Sequence, residues 1–246
     1  MPPDPSWIDR SKQSTNMCII PAKGTSQRFA RKNVALLRGR PLIVHVIQAA
    51  LQARIFSEIL VSTEDHEISR IAADAGAVVV ARPAALSVPS ATVYHVVENL
   101  LATRHGDLGR VANIELPKYL CVVYPTAALI ASKDLQEMEA ILDRNETAQG
   151  VMTVVRPTED PWDTMTVDAD SNWLTRLFPL SYQGELGEHK VWVDAGLAYL
   201  YRTTDFLKHE FYPPRLLPFP IPRNRAVDVN YPGDLKLLEA FYDLGS

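Results

Sequence analysis

Between Lys23 and Asn33 the chain gathers one glycine, two hydroxyl side chains and four cations: Gly24, Thr25 and Ser26, with Lys23, Arg28, Arg31 and Lys32. Gln27 and Asn33 add carboxamides. A triphosphate needs such a loop, with backbone amides it can approach closely and positive side chains around them. The spacing is neither G-x-G-x-x-G nor G-x-x-x-x-G-K-[ST], which speaks against the dinucleotide-binding and P-loop folds. Taken alone, the segment also reads as a solvated basic turn. Its position, directly after the apolar run Met17–Pro21, is what singles it out.

Elements that would carry this loop alternate along the first half. Met17 to Pro21 reads as a buried strand. Leu42 to Ala53 is apolar at helical spacing, with Pro41 suited to a first turn. Glu58 to Ser62 reads as the next strand and Asp65 to Ala75 as a helix, with Gly76 placed for a C-terminal cap. Ala77 to Ala81, Thr92 to Ala102 and Tyr119 to Val123 continue as strand, helix and strand. Ser132 is placed to cap a helix through Leu142. Strand and helix alternating at this spacing predict a parallel sheet covered by helices. Ligands of such sheets sit beyond the carboxyl ends of the strands. The informative segments are therefore Lys23 to Asn33, Ser62 to Asp65, Arg82 to Ser87 and Tyr124 to Ile130.

The second half differs. Val151 to Val155 and Thr164 to Val167 suggest a more antiparallel region. Trp173 to His189 is loop-rich and is expected to project as a lid or dimer arm. Trp162, Trp173 and Trp192 lie in or beside it, suited to packing or dimer contact. Ala195 to Tyr201 reads as a returning strand, Thr204 as the cap of a short helix, and Gly233 to Tyr242 as a final amphipathic helix. Met1 to Asn16 is proline-rich and polar, and is expected to be a flexible extension ahead of a single domain over 17–246.

Bulk composition sets bounds. Of 246 residues, 47% are hydrophobic and 22% charged, the balance of a globular chain with a sizeable core. The formal net charge of -4 offers no global field for nucleic acid, so an anion must be met locally. No apolar run is long enough to span a membrane, and the first residues lack the apolar stretch of a signal peptide. A cytoplasmic enzyme is expected. Cys18 and Cys121 lie in apolar runs with no C-x-x-C pattern, and read as buried thiols.

The segment Pro21-Ala22-Lys23-Gly24-Thr25-Ser26-Gln27-Arg28, followed by Arg31-Lys32-Asn33, resembles the opening motif of the acylneuraminate cytidylyltransferases. That motif is Pro-Ala-Arg-Gly-Gly-Ser-Lys followed by Lys-Asn. Further stretches agree in order: Val61-Ser62-Thr63-Glu64-Asp65, Arg82-Pro83 with Leu86-Ser87, Tyr124-Pro125-Thr126-Ala127, Asp194-Ala195-Gly196, and Val227-Asp228-Val229-Asn230. The Tyr124 turn and the Asp194 triplet lean towards the pseudaminic acid branch. The resemblance implies a Rossmann-like α/β nucleotidyltransferase fold, with a mostly parallel sheet flanked by helices and a dimerisation lobe inserted around 155–193.

It also implies roles. Lys23 and Lys32 would meet the triphosphate of CTP, with Gly24, Ser26, Gln27, Arg28 and Asn33 completing the nucleotide site. Arg82, Ala91 and Thr92 would lie at the cytidine end. Tyr124, Thr126, Asp194 and Gly196 would line the pocket of a nine-carbon acidic sugar. Asp228 and Asn230 would hold Mg²⁺, which takes hard oxygen ligands. A homodimer through the 155–193 region is implied as well, and neither nucleic acid nor membrane as partner. Lys23 replaces an arginine, Thr25 a glycine, Gln27 a lysine and Asn230 an aspartate. Those changes fall on phosphate and metal together, and leave open a homologue that binds nucleotide sugar without turnover, or one acting on another 2-keto-3-deoxy sugar acid.

Overall fold

A computed structural model describes residues 16–26, 28–88, 90–105, 116–159, 161–178, 191–209 and 212–244. β1 (Met17–Pro21) opens the fold. A small antiparallel pair, β2 (Leu36–Leu37) and β3 (Arg40–Pro41), leads into α1 (Leu42–Ala53). Then come β4 (Glu58–Thr63), α2 (His66–Asp74), β5 (Val78–Ala81), α3 (Val93–His105), β6 (Tyr119–Val123), α4 (Ser132–Arg144) and β7 (Gly150–Val155). β8 (Met165–Val167) and β9 (Leu174–Arg176) pair only with each other. β10 (Val193–Arg202), α5 (Thr203–His209), β11 (Leu216–Pro220) and α6 (Pro232–Leu244) complete the order.

The main sheet runs β11-β7-β10-β6-β1-β4-β5. β10 is antiparallel to β6 and β7, and the other pairings are parallel. β1 is almost wholly apolar because both its faces are covered. Its Cys18 and Ile20 join a core built with α1, α2 and α4, through residues such as Ile47, Ala72 and Met138. Met17 and Ile19 face the opposite core, with Val97 and Leu100 of α3 and Phe206 of α5. The result is a helix–sheet–helix sandwich, the α/β class expected from the alternation.

The reversed direction of β10 brings its first residues to the ligand-binding rim. Val193 pairs with Val155 and Asp194 with Val154, so the start of β10 lies at the edge where its parallel neighbours end. Residues from both halves of the chain thereby meet at one rim of the sheet.

Several expectations need correction. Val151–Val155 does take an antiparallel partner, β10, as expected of a more antiparallel second half, but it also pairs parallel with β11 within the main sheet. β11 itself was not foreseen: Pro218 and Pro220 interrupt its strand pattern, and an edge strand tolerates residues that cannot donate. Ser132 is the first helical residue of α4, not its cap; Asp134 turns back and accepts the Ala131 N–H at 2.7 Å. Asn16, placed with the extension, is 3% exposed, and its carbonyl accepts from Ser57 N at 2.8 Å. The remainder of that extension lies outside the described residues.

Of the expected lobe, residues 160 and 179–190 lie outside the described residues. The described portion includes the β8–β9 hairpin, solvent-exposed along its length and turned by Asp168, which accepts from the Ser171 N–H at 2.7 Å. Met165, Val167, Trp173 and Leu174 of the hairpin are exposed. Trp192 lies under the Arg156 guanidinium at 4.0 Å, and the Trp162 side chain lies outside the described residues.

Candidate active site

β1 hands over to the basic loop without losing its neighbour: Ala22 N–H still donates to Ser62 O of β4 at 2.9 Å. Asn33 Nδ2 donates to Lys23 O at 2.8 Å and closes the loop on itself. Gly24 N–H donates to Glu64 Oε1 at 2.8 Å. A Cβ at position 24 would stand 2.6 Å from Asp65 Cβ, so only glycine fits there. Arg31 adopts φ 60° just before the short Lys32–Val34 turn. Its guanidinium pairs with Asp65 at 2.6 Å and with Glu67.

Asp65 serves a second purpose. Its Oδ1 accepts from Glu67 N at 2.9 Å and Ile68 N at 3.0 Å, capping α2. The Ile68 amide first, and Arg31 after it, hold the Asp65 carboxyl below its ordinary range. Asp65 and Glu67 also place negative charge at the start of α2, where the helix dipole favours it. Arg31 stands out in the sequence as one of the loop's four cations, but nothing there shows that it pairs with these two carboxylates.

Beyond the ends of β1 and β6 opens a cleft of about 440 Å³. Lys23, Ser26, Arg28, Lys32, Asn33, Tyr124, Thr126, Asp228 and Asn230 line it, all singled out in the sequence, together with Pro21, Thr25, Val93 and Pro125. Three cations thus face one carboxylate, a local positive field in a chain of negative net charge. Asn33 is 5% exposed, and its Oδ1 is buried with no partner among the described residues. A buried carbonyl oxygen left unpaired is costly, and this one belongs to a residue that lines the cleft.

Lys32 joins the loop to the far wall. Its ammonium donates to Val229 O at 2.8 Å and to Asn230 Oδ1 at 3.1 Å. Burial lowers its pKa, and Asp228 works against that. Asn230 Nδ2 donates to Asp228 Oδ2 at 2.6 Å. Chemistry fixes the orientation of this amide: an ammonium can only donate and an ionised carboxylate can only accept. Asn230 therefore shows its oxygen to Lys32 and its NH₂ to Asp228.

This bears on the expected Mg²⁺ site. Asp228 offers a hard oxygen on the cleft wall, but Asn230, expected as its partner ligand, presents a donor towards it instead. Among the described residues no three His, Cys, Asp or Glu side chains converge as a ready metal cage. The donor set suits a cation held by one carboxylate and ligand phosphates.

The start of β10 lies beside the cleft, next to Asp228, and neither Asp194 nor Gly196 is among the residues that line it. The β10 register slips between Asp194 and Tyr199, and Gly196 takes φ +65° in the bulge. Gly196 faces Asp228, whose Oδ2 would lie 3.6 Å from a Cβ there. Asp194 is held by Gly196 N at 2.8 Å and by the hydroxyls of Tyr199, at 2.7 Å, and Tyr212, at 2.9 Å. Tyr124 N–H donates to Leu197 O at 2.9 Å, tying β6 to the bulge. Burial, then the charges of Asp194 and Asp228, push the Tyr124 phenol up to about 12.

Other expected residues stand back from the cleft. Arg82 is 8% exposed, and its guanidinium donates to Ser62 O at 2.9 Å and Ser62 Oγ at 3.3 Å. A buried guanidinium needs such acceptors, and these draw it into the sheet edge. Ala91 and Thr92 precede α3, where Thr92 N donates to His95 Nδ1 at 3.3 Å; the next residue, Val93, lines the cleft. Gln27 lies outside the described residues.

Comparisons with known proteins agree with this geometry. The profile of the cytidylyltransferase family matches residues 17–167. The chain is 27% identical to pseudaminic acid cytidylyltransferase of Campylobacter jejuni over 230 residues, 92% of this chain and 96% of that protein. It is 42% identical over 86 residues to CMP-N,N'-diacetyllegionaminic acid synthase of Legionella pneumophila, 35% of this chain and 37% of that one. Among solved structures, CMP:2-keto-3-deoxy-manno-octonic acid synthetase complexed with CTP superposes with a TM-score of 0.65 at 15% identity. The match covers 94% of this chain and 99% of that one, a likeness of fold.

Proposed function

Because the chain belongs to the cytidylyltransferase family and is a CTP-dependent nucleotidyltransferase, we propose that it transfers CMP from CTP to the anomeric hydroxyl of a nine-carbon 2-keto acidic sugar, pseudaminic acid foremost. The observation that carries this reading is the convergence of Lys23, Arg28 and Lys32 on one cleft, which Asn33, its Oδ1 without a partner among the described residues, also lines. Three cations suit a triphosphate, and a lone acceptor suits an N–H or O–H of the nucleoside. The long match to the Campylobacter protein and the Asp194-Ala195-Gly196 bulge favour pseudaminic acid over other sugar acids.

In the proposed reaction the sugar hydroxyl attacks the α-phosphorus, the bond to the bridging oxygen of the β-phosphate breaks, pyrophosphate leaves, and the hydroxyl proton passes to water. Positioning and charge stabilisation supply most of the catalysis of such transfers. Lys23, Arg28 and Lys32 would neutralise the phosphates, with Ser26 and the loop amides beside them. Tyr124, Thr126 and the Asp194–Gly196 bulge would orient the sugar. Asp228, with the phosphates, would hold Mg²⁺, which supplies further charge neutralisation when bound. Asn230 would act through Lys32 and Asp228 rather than as a ligand.

Pyrophosphate release with CTP, Mg²⁺ and a panel of acidic sugars tests the reading. The panel holds pseudaminic, legionaminic and N-acetylneuraminic acids, and the eight-carbon 2-keto-3-deoxy acid. The expected result is a kcat/KM for pseudaminic acid at least about tenfold above the others, the discrimination that 1.4 kcal/mol of differential binding gives. Preference for another acid would overturn the sugar assignment. CTP binding without turnover on any of them would favour the non-catalytic alternative left open by Lys23, Thr25 and Asn230.

The reading includes a cytoplasmic homodimer. Among the described residues no helix is long and apolar enough to cross a membrane. The hairpin exposes Trp173 (76%) and Leu174 (66%), large apolar groups that a second copy would cover. Sedimentation velocity should give a dimer for the native chain and a monomer for Trp173→Glu/Leu174→Glu. A native monomer, or an unchanged dimer in the double variant, would place the interface elsewhere or remove it.

A further inference from the structure

The acidic run that opens α2 stands behind the phosphate loop, where it should repel the ligand that loop is built for. Glu64, Asp65 and Glu67 put three carboxylates within four residues. Glu64 accepts the Gly24 N–H near one end of the loop. At the other end, Arg31 Nη1 meets Asp65 and Nη2 meets Glu67. Both terminal nitrogens of that guanidinium are engaged, and Arg31 is absent from the cleft wall that Lys23, Arg28 and Lys32 share. Its backbone is held at φ 60°, a left-handed conformation that a non-glycine residue keeps only where its surroundings over-determine it.

We propose that Arg31 is a positioning and shielding residue: with Glu64 it fastens the loop to the start of α2, and it neutralises Asp65 and Glu67 behind the bound triphosphate without contacting it. The proposal rests on the CTP-binding reading above. A fork that meets two carboxylates fixes direction as well as charge. Where Arg31 turns the chain into the Lys32–Val34 segment, that direction sets where Lys32 and Asn33 enter the cleft. Without Arg31 the triphosphate would approach uncompensated carboxylates, whose repulsion is screened only over roughly 10 Å at 0.1 M salt.

A double-mutant cycle on the full chain tests this, with CTP affinity by titration calorimetry at low salt. Arg31→Ala should weaken CTP binding about tenfold, and kcat at saturating CTP should fall as well, by less than the loss in Lys32→Ala. Glu67→Gln alone should be neutral or slightly tighter. The double variant should recover about half of the logarithmic loss, because removing the repelling charge substitutes for shielding it. Arg31→Gly should stay as weak as Arg31→Ala.

Three results would overturn the proposal. A loss that Glu67→Gln does not relieve would make Arg31 a direct phosphate ligand. Full affinity in Arg31→Gly would reduce the residue to a backbone effect. Unchanged affinity in Arg31→Ala would leave it no part. Should Arg31→Ala fail to fold, Arg31→Lys takes its place in the cycle, one ammonium serving two carboxylates. Absence of CTP binding in the native chain would instead refute the nucleotide reading itself.

Discussion

Lys32→Ala is expected to lower kcat/KM for CTP by about 10²- to 10³-fold, the usual loss on removing one preorganised charge from a transition state. Lys32 is the side chain through which the loop reaches the opposite wall, by way of Val229 O and Asn230 Oδ1. Its ammonium is partly desolvated, so its field is less screened than that of a surface lysine. Removing it leaves Asp228 facing the incoming phosphates with one cation fewer, and frees the Asn230 carboxamide to rotate. Lys32→Arg should rescue only in part, since a guanidinium fork cannot reproduce a point charge shared by a carbonyl and an amide oxygen. Steady-state kinetics with CTP varied, alongside thermal melting, checks this. A loss below about fivefold, with the fold intact, would remove Lys32 from the machinery.

The parts of this site that were legible in the sequence are the local ones. A strand buried on both faces shows as an apolar run, as in Met17–Ile20. A loop with four cations after such a strand is visible without a structure. Leu42–Ala53 forms a helix with the bounds its apolar spacing gave. Longer-range pairings were not legible. Nothing near Gly24 announces that its amide is taken by Glu64, 40 positions on. Nor does the sequence say that Lys32 would meet Asn230 across 198 positions. Arg82, placed at the cytidine end by the family resemblance, is likewise tied to acceptors that the sequence does not announce, both on Ser62. β11 was hidden because Pro218 and Pro220 break the strand signal, although an edge has room for them. Residue type tells what a group can do, and the direction of its hydrogen bonds depends on partners that only the fold supplies.

That dependence is sharpest at Asn230, where one atom separates two kinds of site. Asn230→Asp should convert the Asp228 wall from a hydrogen-bonded pair into a cation site in the free protein. In the native chain Nδ2 lies 2.6 Å from Asp228 Oδ2 and satisfies it. A carboxylate there would set two negative charges at hydrogen-bond distance, and one of them must take up a proton or share a counter-ion. Lys32 can neutralise one carboxylate but is already committed to Val229 O. A divalent cation, held by oxygen ligands, is the remaining partner. Mn²⁺ titration followed by electron paramagnetic resonance, without nucleotide, should show binding at least about tenfold tighter in Asn230→Asp than in the native chain, equivalent to roughly 1.4 kcal/mol. The native chain should gain comparable affinity only when CTP is added, because its single carboxylate needs the phosphates to complete the shell. Equal Mn²⁺ affinity in the two free proteins would show that the ion does not sit at Asp228, and the hydrogen bond between Asp228 and Asn230 would then be a structural tie alone.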